Sequence, residues 1–202
     1  MRKRQRPSST KFLPHKLSVI LNVDSQLADQ LLAGISLFNR ALSQATQFAE
    51  SNGAAVVVVK NGQLEARLKE IDAEIFVIHD ALRPLVGADQ MQRAYEALGN
   101  CQAVRATMPF TETLKVVGPD QRLEATIDRD SVLRISSPEV IRKSAINFGG
   151  KATTWSVPLI NGYQSCEVAA DPQGIRINNG EELKMLEALL QLSDPAQKLF
   201  LN

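Results

Sequence analysis

Four short apolar runs alternate with longer segments of helical rhythm, and this alternation limits the fold more than any other feature of the chain. A run that is apolar throughout is typical of a strand buried on both faces of a parallel sheet. Between the first two runs, residues such as Leu32, Ile35 and Phe38 follow a helical spacing. Strands that alternate with helices predict an α/β sandwich. The four runs are Leu17–Val23, Ala54–Val59, Ile75–Ile78 and Ala103–Thr107.

Capping residues predict where the helices begin and end. Asn52-Gly53 should end the first helix, because glycine tolerates the left-handed conformation found there. Ser137 and Pro138 are typical N-cap and first-turn residues and predict a helix from Glu139. The other predicted elements are helices over Leu31–Ala49, Gln90–Leu98 and Gly180–Leu190 and a strand over Gly174–Asn178.

The residues from about 111 to 136 break the alternation and predict a projecting β-arm. Thr113–Val117 and Arg122–Ile127 flank Gly118–Gln121, whose residue types are typical of a four-residue hairpin turn. A two-stranded ribbon is marginally stable on its own. We therefore expect a second subunit to hold the arm, which makes the protein a homodimer.

The third apolar run ends in polar residues that suggest a ligand site. It leads into HDALRPLV at 79–86, in which Pro84 biases Arg83 away from helical geometry. Ligands of open α/β sheets bind at the carboxyl ends of the strands, so Asp80 could hold a divalent cation and hydroxyl groups. The alternative is a strand-ending turn with a solvated Asp-Arg pair. His79 has no carboxylate partner in the pattern, which favours a hydrogen-bonded structural histidine.

Composition and charge are those of an ordinary globular protein. The 202 residues are 44% hydrophobic and 22% charged, with a formal net charge of +1. This charge gives no reason to expect nucleic acid or a membrane as a partner. Cys101 and Cys166 are widely spaced, so we expect two thiols in a reducing cytoplasm, and a disulfide or a zinc site has little support.

The basic residues 1–16 predict a disordered tail ahead of one domain over 17–202. The tail is followed by Leu17–Leu21, an apolar run too short for a signal sequence or a membrane span. A nucleic-acid-binding arm is the alternative interpretation of the tail. We expect a cytoplasmic protein.

Four segments, taken in order, resemble one enzyme family. HDALRPLV at 79–86 resembles HDAARPLV, and TETLK at 111–115 resembles DTLK. TIDRDSVLRISSPEVI at 126–141 is similar to TVDRSxLWxxQTPQxF, and DPQGIRINNGEEL at 171–183 is similar to GDPxNIKITTPEDL. These are motifs of the 2-C-methyl-D-erythritol 4-phosphate cytidylyltransferases, which transfer CMP from CTP to a sugar phosphate in the non-mevalonate isoprenoid pathway. The resemblance implies a three-layer α/β/α nucleotidyltransferase (Rossmann-like) sandwich, with a protruding β-arm that is exchanged across a homodimer.

The resemblance also implies roles for particular residues. Asp80 and Arg83 match positions on the nucleotide side, where Asp80 would hold Mg²⁺. Arg176 stands where the family has a catalytic lysine, and its positive charge is spread over a planar guanidinium group. The positions that surround the sugar phosphate are Thr113, Lys115, Arg129 from the neighbouring subunit's arm, and Ser137 in place of a threonine. The plainer interpretation of the arm residues is a charged hairpin surface.

The family's triphosphate loop is not recognisable. Family members carry AAGxGxRMG and then PKQ after the first strand, whereas residues 24–30 here contain no glycine, arginine or lysine and include Asp24 and Asp29. The family's GGxxRxxS is missing after the second strand, and its TDD corresponds to Thr153–Trp155. The sequence therefore predicts weakened or lost catalysis. Two alternatives remain: an active enzyme whose missing cations come from Lys11, Lys16, Arg40 or the N-terminal RKRQR, or a non-catalytic dimeric protein that binds a sugar phosphate or regulates a partner.

Overall fold

A computed structural model of the protein describes residues 16–151 and 154–193. The strands are β1 (Leu17–Val23), β2 (Leu31–Leu32), β3 (Ile35–Ser36), β4 (Ala55–Lys60), β5 (Ile75–Asp80), β6 (Ala103–Pro109), β7 (Leu114–Val117), β8 (Leu123–Ile127), β9 (Leu133–Arg142) and β10 (Ser165–Ala169). The α-helices are α1 (Leu37–Ser51), α2 (Leu64–Glu70), α3 (Ala88–Glu96) and α4 (Gly180–Ser193).

A six-stranded sheet in the order β10-β6-β9-β5-β1-β4 forms the middle layer. β1 runs parallel to β4 and β5, β10 runs parallel to β6, and β9 is antiparallel to both of its neighbours. One apolar core packs α1 and α3 against the sheet, and a second packs α2 and the chain around Ile146 and Trp155 against the opposite face. The predicted three-layer α/β/α sandwich is confirmed.

The four apolar runs form β1, β4, β5 and β6, within two residues of the predicted bounds. The hairpin β7–β8 is present where the arm was predicted. The helix predicted from Leu31 begins later, at Leu37, because β2 and β3 first form a small hairpin. Its turn is Ala33-Gly34, with positive φ values of 48° and 78°. The end of α1 is as predicted, since Gly53 has a φ of 63°.

The helix predicted from Glu139 is wrong, because these residues lie in β9. Val140 and Ile141 are fully buried between β5 and β6, and the strand pairs with both of them. Pro138 follows a cis peptide bond at the position where the register between β6 and β9 shifts. Proline is tolerated in a sheet at such an irregularity, because no ladder hydrogen bond is lost there.

Two further predictions are wrong. Residues 174–178 form an extended loop joined to the sheet region by the Ile177 N–H, which donates to the Leu82 carbonyl at 2.8 Å, and the last strand is β10. Cys101 and Cys166 form a disulfide, with their Cα atoms 6.0 Å apart. The parallel pairing of β10 with β6 brings together two cysteines that are 65 residues apart in sequence.

No helix in the described ranges is long and apolar enough to cross a membrane. The basic tail predicted over residues 1–16 lies outside the described residues, apart from Lys16.

Candidate functional site

A pocket of about 310 Å³ opens at the carboxyl ends of β1 and β5, against β9 and the loop before α4. This is the edge at which open α/β sheets bind ligands. Its lining includes the predicted residues Asp80, Arg83, Ser137 and Arg176. The other lining residues are Asn22, Asp24, Ile78, Ile135, Ser136, Glu139 and Ser156.

Asp80 ends β5, and both of its carboxylate oxygens accept hydrogen bonds from the protein. Oδ2 accepts from Arg176 Nε at 2.8 Å, and Oδ1 accepts from the Leu82 N–H at 2.9 Å. Arg83 Nε lies 3.9 Å from Oδ2. Two guanidinium groups therefore neutralise a carboxylate whose side chain is 30% exposed.

Arg83 is a clamp between backbone segments. Its two Nη atoms donate to the carbonyls of Gly174 and Ile135, each at 2.8 Å. Burial is the main cause that lowers the pKa of this guanidinium from its ordinary value, and the nearby Asp80 carboxylate acts in the opposite direction. The side chain joins the start of β9 to the loop that carries Arg176, so it shapes the pocket wall.

Two residues of β5, His79 and Asp80, hold the hydroxyl group of Ser137 in place. Its Oγ accepts from the Asp80 N–H at 3.1 Å and lies 2.8 Å from His79 Nδ1. His79 is fully buried, and burial lowers its pKa to about 4, while the Asp80 charge acts in the opposite direction. The imidazole is therefore neutral at physiological pH, which confirms the predicted structural histidine.

Gln90 of α3 completes this support and is also fully buried. Its Nε2 donates to the Ser137 carbonyl, and its Oε1 accepts from the Asp171 N–H. One buried amide therefore holds β9 and the loop before α4 in fixed relation.

Glu139 forms the opposite wall of the pocket and is tied to Arg105. Arg105 Nη2 donates to Glu139 Oε1 at 2.7 Å, and the guanidinium lies 3.9 Å from the ring centre of Trp155. Glu139 Oε2 accepts from the Ser156 N–H at 2.9 Å. This ion pair is nearly buried, with about a tenth of each side chain exposed.

The loop after β1 contributes acidic and amide groups to the pocket. Asn22 Nδ2 donates to Asp24 Oδ2 at 2.6 Å, and the Gly62 N–H donates to Asp24 Oδ1 at 3.2 Å. Residues Gln26–Asp29 then form a single turn of 3-10 helix, capped by Ser25. The charged side chains that line the pocket are three carboxylates and two guanidinium groups, and one of the carboxylates, that of Glu139, is paired with Arg105.

The structure does not bring the arm residues into the pocket of their own chain. Thr113, Lys115 and Arg129 are exposed on or beside β7 and β8. Lys115 Nζ donates across the hairpin to Thr126 Oγ1 at 2.5 Å, and Arg129 Nη1 donates to the Thr111 carbonyl at 3.3 Å. Of the four predicted sugar-phosphate residues, only Ser137 lines the pocket.

Two of the cations considered as replacements for the triphosphate loop have other contacts. Lys16 precedes β1 at the opposite end of the strand from the pocket and pairs with Asp72. Arg40 donates to the Leu32 carbonyl from Nε at 3.0 Å and from Nη2 at 2.8 Å, so it supports the β2–β3 hairpin. Lys11, the N-terminal RKRQR and Thr153 lie outside the described residues.

The contacts of Asp80 disfavour the predicted Mg²⁺ site, because Arg176 already places a positive charge against Oδ2. Mg²⁺ is usually held by one or two carboxylates together with water and substrate phosphates. Both oxygens of Asp80 and both oxygens of Asp24 already accept hydrogen bonds from the protein.

Sequence reasoning missed Asn22, Asp24, Gln90 and Glu139 as parts of the site. The position of Asn22 at the end of an apolar run was an available signal, because it has the same relation to β1 that Asp80 has to β5. Glu139 gave no such signal, since its role depends on Arg105, 34 residues away.

Comparison with known proteins supports the resemblance found in the sequence. A family model described as 2-C-methyl-D-erythritol 4-phosphate cytidylyltransferase matches residues 31–189. A protein of that name from Dehalococcoides mccartyi (strain CBDB1) is 31% identical over 75 residues, which cover 37% of this chain and 33% of the relative. Another of that name, from Caldanaerobacter subterraneus subsp. tengcongensis, is 29% identical over 154 residues, which cover 72% of this chain and 63% of the relative. The alignments thus span between a third and two thirds of these two relatives.

The fold is similar to solved structures of the same description. The crystal structure of 2-C-methyl-D-erythritol 4-phosphate cytidylyltransferase from Thermus thermophilus has a TM-score of 0.73 at 18% identity. The superposition covers 87% of this chain and 99% of that one. At this identity the likeness establishes the shared fold.

Proposed function

The chain belongs to the 2-C-methyl-D-erythritol 4-phosphate cytidylyltransferase family, and from this premise we propose that it is a divergent member. In this proposal it keeps recognition of a sugar phosphate, while its transfer of CMP from CTP is weakened or lost. The observation that carries the proposal is the loop after β1, which places Asp24 at the pocket and has no arginine or lysine over residues 24–30.

Charge explains why such a loop would weaken transfer. Attack on the α-phosphorus of CTP depends mainly on positioning and on neutralising the triphosphate. Here Asp24 brings a carboxylate to the pocket, Arg83 is bound to backbone carbonyls, and Arg176 is paired with Asp80. Loss of two preorganised cationic contacts, at about 2.7–4 kcal/mol each, would lower the rate by roughly 10⁴-fold or more.

The remaining groups suit the acceptor better than the nucleotide. Serine hydroxyls and carboxylates at the pocket can accept hydrogen bonds from sugar hydroxyls. The cations suited to a phosphate dianion, Lys115 and Arg129, are on the exposed arm, from which a partner subunit would present them.

A homodimer held through the arm is part of this proposal. Val117 and Leu123 are exposed on the hairpin, at 53% and 69%, and a partner subunit would cover them. Sedimentation of the purified chain should give a dimer, and a monomer at micromolar concentration would contradict the arm exchange. We expect the dimer to act in the cytoplasm, with Mg²⁺ required only for residual transfer.

An active enzyme with a remodelled loop is the second candidate. It is favoured by one observation, the assembly of Asp80, Ser137 and Arg176 in a single pocket. The replacement cations would then have to come from Lys11 or the N-terminal RKRQR.

Release of pyrophosphate from CTP in the presence of methylerythritol phosphate and Mg²⁺ distinguishes the two candidates. We expect the wild-type rate to lie at or only slightly above that of an Asp80→Asn variant and of the background without protein. Turnover by the wild type at an ordinary enzyme rate, about 1 s⁻¹ or faster, that Asp80→Asn abolishes would contradict weakened or lost transfer and establish the active enzyme.

A further inference from the structure

Asp80 lies where a divalent cation would be expected, yet a guanidinium of the protein already contacts its carboxylate. We propose that the guanidinium of Arg176 takes the cation position at Asp80, so that the pocket holds a fixed protein cation in place of a metal ion. The proposal concerns the ion and does not rest on the fate of CMP transfer.

The first support is that Arg176 is held from two sides. Its Nε donates to Asp80 Oδ2 at 2.8 Å, and its Nη1 donates to Asn178 Oδ1 at 2.5 Å. Asn178 is fixed in turn by Glu182 in the first turn of α4, whose Oε2 accepts from the Asn178 N–H at 2.7 Å. Asn178 and the first turn of α4 therefore hold the guanidinium in an orientation that faces Asp80.

The second support is that the other nearby carboxylates also have partners within the protein, so that Asp80 would be the main protein ligand of an ion. Asp24 accepts from Asn22 and Gly62, and Glu139 accepts from Arg105 and Ser156. A divalent ion at Asp80 would have either to displace Arg176 Nε from Oδ2 or to lie beside its positive charge. Both effects oppose metal binding, because like charges a few ångströms apart repel strongly at a partly buried site.

The side-chain type is the third support. The family has a lysine at the position of Arg176, and a lysine ammonium group is a compact, mobile point charge. The planar fork of arginine donates to Asp80 and Asn178 at once, with a fixed angle between the two bonds. The substitution therefore suits a permanent partner for Asp80 better than a cation that must be free to follow a phosphate.

Binding of Mn²⁺ to the full-length protein, followed by electron paramagnetic resonance, tests this directly without nucleotide. We expect the wild type to leave Mn²⁺ free at millimolar concentration. Arg176→Met should bind Mn²⁺ at least tenfold more tightly, because it uncovers Asp80, and the double variant Arg176→Met/Asp80→Asn should lose that binding. Arg134→Met is the matched control, since it removes one positive charge from β9 without a contact to Asp80, and it should behave as the wild type.

Two results would overturn the proposal. The first is Mn²⁺ binding by the wild type that Asp80→Asn removes, because Asp80 would then be a metal site despite Arg176. The second is no gain in Arg176→Met, or an equal gain in Arg134→Met, because the ion pair would then not be what excludes the metal. Far-ultraviolet circular dichroism checks that each variant is folded, and Arg176→Gln provides a polar replacement if the methionine variant is not.

Discussion

The β5–β9 side of the pocket and the β7–β8 arm are built in opposite ways. At the pocket, His79 Nδ1, Gln90 and Ser137 bond to one another and to the backbone of three segments, and among the described residues His79 Nε2 has no hydrogen-bond partner. On the arm, by contrast, Val117 and Leu123 are exposed, and the hairpin forms a separate two-stranded sheet. The difference indicates that contacts within the described residues specify the pocket wall, whereas the exposed apolar side chains of the arm are the basis for proposing that a partner subunit covers them.

Gln90→Leu removes the buried amide that supports the pocket wall, and it should have the largest effect on the free energy of unfolding. The change leaves the Ser137 carbonyl and the Asp171 N–H without the amide that they share, and each unpaired buried group costs about 1–3 kcal/mol. We expect the free energy of unfolding, measured in urea, to fall by about 3 kcal/mol.

The exposed Gln47→Leu in α1 is the control and should change the free energy of unfolding by less than about 0.5 kcal/mol. Equal effects of the two substitutions would show that Gln90 does not join β9 to the loop before α4.

His79→Gln tests the same wall through its pH dependence. The pKa of His79 is about 4 in the folded protein against an ordinary value of 6.5, so the unfolded state binds more protons between these values. The stability that the neutral imidazole contributes is therefore present above pH 6.5 and is lost as the pH falls toward 4. For the wild type, this histidine should lower the free energy of unfolding by about 2 kcal/mol between roughly pH 7 and pH 5.

The His79→Gln variant should lack that part of the loss and keep only the part due to carboxylates. The same pH dependence in both proteins would mean that His79 is not held neutral beside Ser137.

Arg129→Ala tests the arm and should have the smallest effect of these substitutions on the free energy of unfolding. Because Arg129 is exposed and donates to the Thr111 carbonyl alone among the described hydrogen bonds, its removal should leave the free energy of unfolding within about 0.5 kcal/mol of the wild type. If a partner's arm supplies this charge to a phosphate, the affinity for methylerythritol phosphate should fall roughly tenfold.

Arg122→Ala is the matched control on the same arm, where Arg122 pairs with Asp120, and it should leave that affinity unchanged. Equal losses in the two variants would show that the arm contributes only general positive charge.

The parts of the fold that depend on local pattern were predictable, and those that depend on distant pairing were not. Leu17–Val23 and Ile75–Ile78 are apolar because both faces of the sheet are covered, so their strands follow from the sequence. Ser137-Pro138-Glu139 has the residue types of a helix start, and only pairing with β5 and β6 makes it a strand. The Cys101–Cys166 disulfide depends on the same long-range order.

The same distinction between local pattern and distant pairing applies to the residues of the site. Asp80, Arg83, Ser137 and Arg176 could be predicted from family motifs, and the structure brings all four to one pocket. Their internal contacts could not be predicted, because the Asp80–Arg176 pair joins positions 96 residues apart. The Asp80–Arg176 contact is the basis of our proposal that arginine takes the cation position at Asp80.

Calorimetric titration of the purified protein with methylerythritol phosphate, and separately with CTP and Mg²⁺, tests the central claim most directly. The claim is that the acceptor side is kept while the nucleotide side is lost. It predicts binding of the sugar phosphate, one molecule per chain, and no heat from CTP. Binding of CTP with Mg²⁺ in the absence of sugar-phosphate binding would contradict it.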